Sequence, residues 1–132
     1  MFDLENIDEL KARQMSCQVL AFVGDAVYSL YIRNKLVLAT HDTGQKLHDK
    51  TTNFVSAMGQ SESLDAVIDT FTAEEKSVYK RGRNYHTKSV SKNANIIDYK
   101  RATGLECVLG YLYLIGKCDR LNEILDKLSE LR

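Results

Sequence analysis

From Met15 to Leu38 apolar residues recur at spacings of three and four with nothing to break a helix. The whole sequence of 132 residues contains no proline. Proline removes a backbone donor and clashes with the preceding turn, so its absence lets long helices run uninterrupted. Val19, Leu20, Phe22, Val23, Val27, Leu30 and Tyr31 form a wide apolar stripe on this first helix. Between Val19 and Val27 the stripe nearly closes around the helix, which predicts a place at the centre of the domain.

The rest of the chain reads the same way. Thr43 is placed to cap a second helix with Leu47, Thr51, Phe54, Val55 and Met58 inward, and Gly59 to end it. Ser61 or Ser63 starts a short helix through Leu64, Val67 and Ile68. Thr72 followed by Glu75 is a capping box, opening a helix that carries Val78 and Tyr79 and ends near Gly82. The polar stretch 83–94 reads as a loop. A helix follows from about Ile96 to Ile115. The last runs from Asp119 to Leu131 with Leu121, Ile124, Leu125, Leu128 and Leu131 on one face. No segment alternates with period two, so the predicted class is all-α, a helical bundle in one domain over residues 1–132.

Hydrophobic residues make up 44% of the chain, enough for a packed core. No apolar run approaches the roughly 20 residues a bilayer requires, so no membrane role is expected. The acidic start of the chain lacks the basic and apolar regions of a signal peptide, which predicts a cytoplasmic protein. Cys17, Cys107 and Cys118 lack metal-ligand spacing and read as reduced, mostly buried thiols.

Formal net charge is zero, yet the charge is unevenly placed. Residues 1–75 carry 6 basic and 12 acidic side chains, whereas residues 76–101 carry 8 basic and one acidic. A neutral chain with one basic stripe points to a localised polyanion site.

Two acids stand alone in apolar helical phrases. Asp25 lies in Leu20-Ala-Phe-Val-Gly-Asp25-Ala-Val-Tyr28 and Glu106 in Leu105-Glu106-Cys-Val-Leu-Gly110. An ionised carboxylate in apolar surroundings needs a partner. That partner is a cation such as Arg33 or Lys100, a buried hydrogen bond, or a metal ion. Gly24 flanks Asp25, and Gly110 lies one turn beyond Glu106 on the same face. Glycine costs about 1 kcal/mol against alanine inside a helix, and close helix contact is the simplest compensation. If the two helices cross at these glycines, Asp25 and Glu106 meet, and two like charges there need a cation. Hard oxygen ligands completed by waters and phosphate suit Mg²⁺.

These phrases resemble the two signature helices of the ribonuclease III catalytic domain. Phe22-Val-Gly-Asp25-Ala is similar to the signature ending in Leu-Gly-Asp-Ala, and Thr103-Gly-Leu-Glu106-Cys-Val-Leu-Gly110 to the Glu-Ala-Leu-Ile-Gly element. Tyr28, the tract Lys80-Arg-Gly-Arg-Asn84, the pair Lys92-Asn93 and Tyr99-Lys-Arg-Ala-Thr-Gly104 extend the resemblance to the short bacterial branch, the Mini-ribonucleases III. The resemblance implies an α-helical homodimer that cleaves double-stranded RNA with Mg²⁺, or Mn²⁺ in its place. It also implies a role in maturing the large-subunit (23S) ribosomal RNA precursor, with a ribosomal protein as a further partner. In the implied reaction a metal-bound water attacks the phosphodiester. The chain ends at Arg132, so no double-stranded-RNA-binding domain is expected.

In longer relatives the two signature helices supply the acids around the metal. Asp25 and Glu106 match two of the acid positions, and the three others fall on Gln18, Ala21 and Thr103, none of them acidic. The expectation is therefore a leaner site, with Asp25 and Glu106 as catalytic metal ligands and Gln18 and Thr103 orienting waters around the ion. Lys80, Arg81, Arg83, Lys88, Lys92, Lys100 and Arg101 are expected on RNA phosphates, with Asn84 and Asn93 adding hydrogen bonds. Such contacts suit a reader of duplex shape. His41, His48 and His86 have no assigned role. The dimer face is expected on the apolar first half of the Asp25 helix and on Tyr28. Two competing readings remain: a non-catalytic RNA-binding or ribosome-assembly factor with the same fold, and a helical nucleotide pyrophosphohydrolase. The second needs clustered acids at helical spacing, which Asp25 and Glu106 do not provide.

Overall fold

Ser16 decides where the longest helix starts. It is extended, and its hydroxyl accepts from the Val19 amide at 3.2 Å, satisfying one of the amides a helix start leaves open. In the computed structural model, which describes residues 5–85 and 95–130, the elements are α1 (Glu9–Arg13), α2 (Cys17–Ala39), α3 (Gly44–Val55), α4 (Ala57–Leu64), a 3-10 turn (Ile68–Thr70), α5 (Ala73–Arg83), α6 (Ile96–Leu114) and α7 (Cys118–Ser129). Every regular element among the described residues is helical, as the absence of period-two alternation predicts. His86, Lys88, Lys92, Asn93 and Leu131 lie outside the described residues.

The centre of the bundle is α6 rather than α2. From Leu105 to Leu112 all side chains but Glu106 are buried, and α2, α4, α5 and α7 pack around this helix. On α2 only one face is buried, through Cys17, Leu20, Gly24, Val27, Tyr28 and Ile32. Its other side leaves Phe22 80% exposed, with Val19, Leu30, Val37 and Leu38 also open. The expectation that this helix is enclosed on all sides is therefore corrected. An all-round apolar sequence marked two surfaces, of which the monomer covers one.

Ser56 is the break that the sequence reading missed. It ends α3 and caps α4, its hydroxyl accepting from the Gly59 amide at 3.1 Å. Gly59 is thus inside α4 instead of terminating α3, Met58 is 61% exposed rather than inward, and Ser61 and Ser63 are interior to α4 rather than its start. A serine that satisfies the new helix's free amide restarts the helix at once, leaving no need for a glycine stop. Thr43 does precede α3, but its side chain makes no capping bond.

The capping box at α5 forms as expected. Thr72 Oγ1 accepts from the Glu75 amide and Glu75 Oε1 accepts from the Thr72 amide, both at 3.1 Å. Glu75 is buried and also receives Arg120 of α7, whose guanidinium continues to the Thr70 carbonyl at 2.9 Å. One carboxylate thereby ties the start of α5 to α7. The apolar face of α7 closes the core through Leu121, Ile124, Leu125 and Leu128. Each fully buried leucine contributes roughly 1.5–3 kcal/mol. Cys17 and Cys107 are buried and Cys118 is exposed, all three as free thiols.

Candidate active site

Helices α2 and α6 touch backbone to backbone. A Cβ added to Gly24 would stand 1.8 Å from the Glu106 carbonyl oxygen, and one added to Gly110 would stand 1.9 Å from the Leu20 carbonyl oxygen. Each glycine occupies the groove of the other helix. Any side chain at either position would force the axes apart. The crossing expected from the sequence is therefore present, and it brings Asp25 and Glu106 to one cavity of about 380 Å³.

The cavity gathers four polar candidates and three aromatic rings. Gln18, Asp25, Thr103 and Glu106 line it together with Ala21, and Phe22, Tyr85 and Tyr99 complete the wall. The five positions singled out in the two motif helices thus line this one space. Asp25 is exposed at its edge, whereas Glu106 is half-buried. Burial, and next the charge of Asp25, push the Glu106 carboxyl up to about 8, against a hydrogen bond from the Gln60 side chain that lowers it.

The ion-pair alternative is not what the structure contains. Arg33 donates its Nε to Ser29 Oγ at 3.1 Å, and among the described residues neither Arg33 nor Lys100 nor any other cation pairs with Asp25 or Glu106. Two carboxylates with no positive partner are complementary to a divalent cation, and their oxygens, with Gln18 and Thr103 beside them, form a hard donor set suited to Mg²⁺. Among the described residues no group of three or more histidine, cysteine or acidic side chains forms a denser metal site. The Thr103 hydroxyl donates to the Tyr99 carbonyl at 3.0 Å, leaving its lone pairs for the cavity.

The basic candidates divide into two groups. Lys80 is exposed and Lys100 half-buried, and neither engages a partner among the described residues. Arg81 donates to the carbonyls of Arg13 at 2.5 Å and Met15 at 2.8 Å, fastening α5 to the segment between α1 and α2. Arg101 donates to Ser61 Oγ at 2.8 Å and the Ser61 carbonyl at 3.0 Å and pairs with Asp65, fastening α6 to α4. Arg83 lies over the Tyr79 ring and bonds Asn84 Oδ1 at 3.2 Å. Lys88, Lys92 and Asn93 lie outside the described residues. Tyr99, one turn before Thr103 on the same face of α6, had a readable signal as a cavity residue. Tyr85 had none, because it reaches the site from another segment.

This all-helical bundle, with its two motif helices interlocked at glycines, defines a ribonuclease III catalytic domain. The Ribonuclease III domain family model matches residues 18–117. The Mini-ribonuclease 3 of Thermoanaerobacter sp. (strain X514) is 43% identical over 126 residues, spanning 93% of this chain and 89% of that protein. That of Clostridium tetani is 43% identical over 122 residues, spanning 92% and 81%. A Fusobacterium nucleatum protein of known crystal structure superposes with a TM-score of 0.76 at 32% identity, covering 86% of this chain and 91% of that one. The chain belongs to the ribonuclease III family, in its Mini-ribonuclease 3 branch, and is an endoribonuclease.

Proposed function

We propose that this endoribonuclease hydrolyses phosphodiesters in double-stranded RNA with Mg²⁺, and that its substrate is the large-subunit (23S) ribosomal RNA precursor in the cytoplasm. The observation that carries the metal dependence is the pair Asp25 and Glu106, two carboxylates on one cavity with no countercharge among the described residues. A bound Mg²⁺, with Mn²⁺ as a substitute, would activate water and neutralise charge on the phosphate during in-line attack. Asp25 and Glu106 hold the ion. Gln18 and Thr103 orient water beside it. Lys80 and Lys100, with Lys88, Lys92, Asn84 and Asn93, meet the sugar-phosphate backbone, while Arg81 and Arg101 brace the helices that carry them.

A duplex has two strands, and a two-fold pair of sites cuts both. The exposed Val19 and Phe22 on α2, adjacent to Asp25, support a homodimer through this face. Tyr28 is fully buried within the monomer and cannot contribute to that face as expected. Among the described residues no helix is long and apolar enough to cross a membrane. The deciding experiment is incubation with a long duplex RNA, with and without Mg²⁺, beside the Asp25→Asn variant. Cleavage that needs neither Mg²⁺ nor Asp25 would overturn the reading.

A further inference from the structure

The cavity that holds Asp25 and Glu106 is one-sided in charge. Among the described residues its wall contains these two carboxyl groups and no cationic side chain, and Lys80 and Lys100 stand outside it. A phosphate entering here brings further negative charge, which a metal ion and hydrogen-bond donors together can meet. The Thr103 hydroxyl has one hydrogen, and it goes to the Tyr99 carbonyl at 3.0 Å. The Gln18 side chain is exposed to water. Two phenols remain. Tyr99 stands four residues before Thr103 and seven before Glu106, on the face of α6 that lines the cavity. Tyr85 joins the same wall from just beyond the end of α5. Both are half-buried, and among the described residues neither hydroxyl has a hydrogen-bond partner. Tyr31 and Tyr111, by contrast, donate theirs to Asp126 and Glu74.

We propose that Tyr99 is a further catalytic residue: its hydroxyl donates to a non-bridging oxygen of the scissile phosphate, with Tyr85 as a second donor beside it. This inference rests on the proposed function, which supplies both the duplex phosphate and the ion held by Asp25 and Glu106. The use of phenols follows from the sign of the wall. A lysine or arginine in this cavity would pair with Asp25 or Glu106 and compete with the metal. A phenol is a neutral donor, so it can hold a phosphate oxygen while leaving both carboxylates to the ion. Tyr99 also shares one rigid element with Thr103 and Glu106, so its spacing to them is set by the turns of α6.

The test compares the parent with Tyr99→Phe, Tyr99→Leu, Tyr85→Phe and Tyr113→Phe. Tyr99→Phe keeps the ring and removes only the hydroxyl, whereas Tyr113→Phe removes a hydroxyl from the same helix outside the cavity. Cleavage of a duplex at saturating Mg²⁺ is expected to fall about 10–100-fold in Tyr99→Phe, less in Tyr85→Phe, and not in Tyr113→Phe. Mn²⁺ binding without RNA, followed by electron paramagnetic resonance, and the melting temperature are expected to stay parental in Tyr99→Phe, since the hydroxyl holds neither the ion nor the fold. A duplex with a single phosphorothioate at the mapped cleavage position, as separate Rp and Sp forms, reads the contact itself. Sulfur accepts hydrogen bonds weakly, so one form is expected to slow the parent more than it slows Tyr99→Phe. A parental rate in Tyr99→Phe, equal phosphorothioate effects in both proteins, or a loss confined to Tyr99→Leu would overturn the role of the hydroxyl. If the parent fails to cleave duplex RNA, the proposed function falls instead. Binding of the same duplex in Ca²⁺ then decides Tyr99: a loss of about threefold or more in Tyr99→Phe upholds the phosphate contact, and an unchanged affinity overturns it.

Discussion

Gly24 and Glu106 are in contact across the crossing of α2 and α6, with the position of a Gly24 Cβ only 1.8 Å from the Glu106 carbonyl oxygen. The backbone that presents one site carboxylate is thereby seated against the glycine that precedes the other. Helix packing and site geometry are the same contact here. Changing one changes both.

Gly24→Ala should therefore destabilise the fold and the site together. Overpacking of a backbone contact costs about 1–3 kcal/mol or more. Gly44→Ala is the contrasting variant, since a Cβ there meets nothing and only its φ of +48° is unfavourable. Thermal unfolding should show the larger loss for Gly24→Ala, accompanied by a raised Mg²⁺ requirement that Gly44→Ala does not share.

Asp25 is exposed, so Asp25→Asn should leave the melting temperature near that of the parent while cleavage falls by roughly 100-fold or more, a loss of about 3 kcal/mol in transition-state stabilisation. Initial rates on a duplex RNA, measured with the melting curve of the same sample, check both halves. A fast Asp25→Asn enzyme would remove this residue from the chemistry.

Glu106 gives the metal-free protein a specific pH response. Its carboxyl is raised from 4.5 to about 8 by burial and then by Asp25. The folded state therefore favours the protonated form, and stability falls as pH rises from about 4.5 through 8. Glu106→Gln removes that loss. Without metal it should melt several degrees above the parent at pH 8–9, with the gap closing towards pH 5. Equal melting curves at both ends would show that Glu106 ionises without cost.

Glu75 responds in the opposite sense. Burial works to raise its pKa, but the Arg120 hydrogen bond and the Thr72 amide outweigh it and hold the carboxyl below its ordinary 4.5. Its contribution is present above that value and is lost as pH falls through the lower, folded-state pKa. Glu75→Gln should lower the melting temperature at pH 7 and flatten its decline in acid. A parental acid limb in the variant would place the acid sensitivity elsewhere.

Lys80 and Lys100 should behave differently from Arg81. Each lysine replaced by alanine should weaken duplex binding and reduce the salt slope by about 1 if it neutralises one phosphate. Arg81→Ala should chiefly lower stability, by about 1 kcal/mol, since its guanidinium is already spent on the Arg13 and Met15 carbonyls. Binding measured across a salt series separates the two classes, and a full unit of slope lost in Arg81→Ala would return it to the RNA contacts.

The helical class, the capping box at Thr72, the interlocking glycines and the pairing of Asp25 with Glu106 were all legible in the amino-acid order. Each is a local signal: a period, a cap, or a glycine and an acid at fixed spacing within one helix. Which apolar face of α2 enters the core was not legible, because Leu20 and Phe22 are equally hydrophobic in sequence and only the seat of α6 separates them. The break at Ser56 rests on one capping hydroxyl among several serines, Ser56, Ser61 and Ser63, and the order of residues alone did not choose between them. The division of the arginines was also hidden, since Arg81 and Lys80 read alike until the end of α1 brings its carbonyls to one of them.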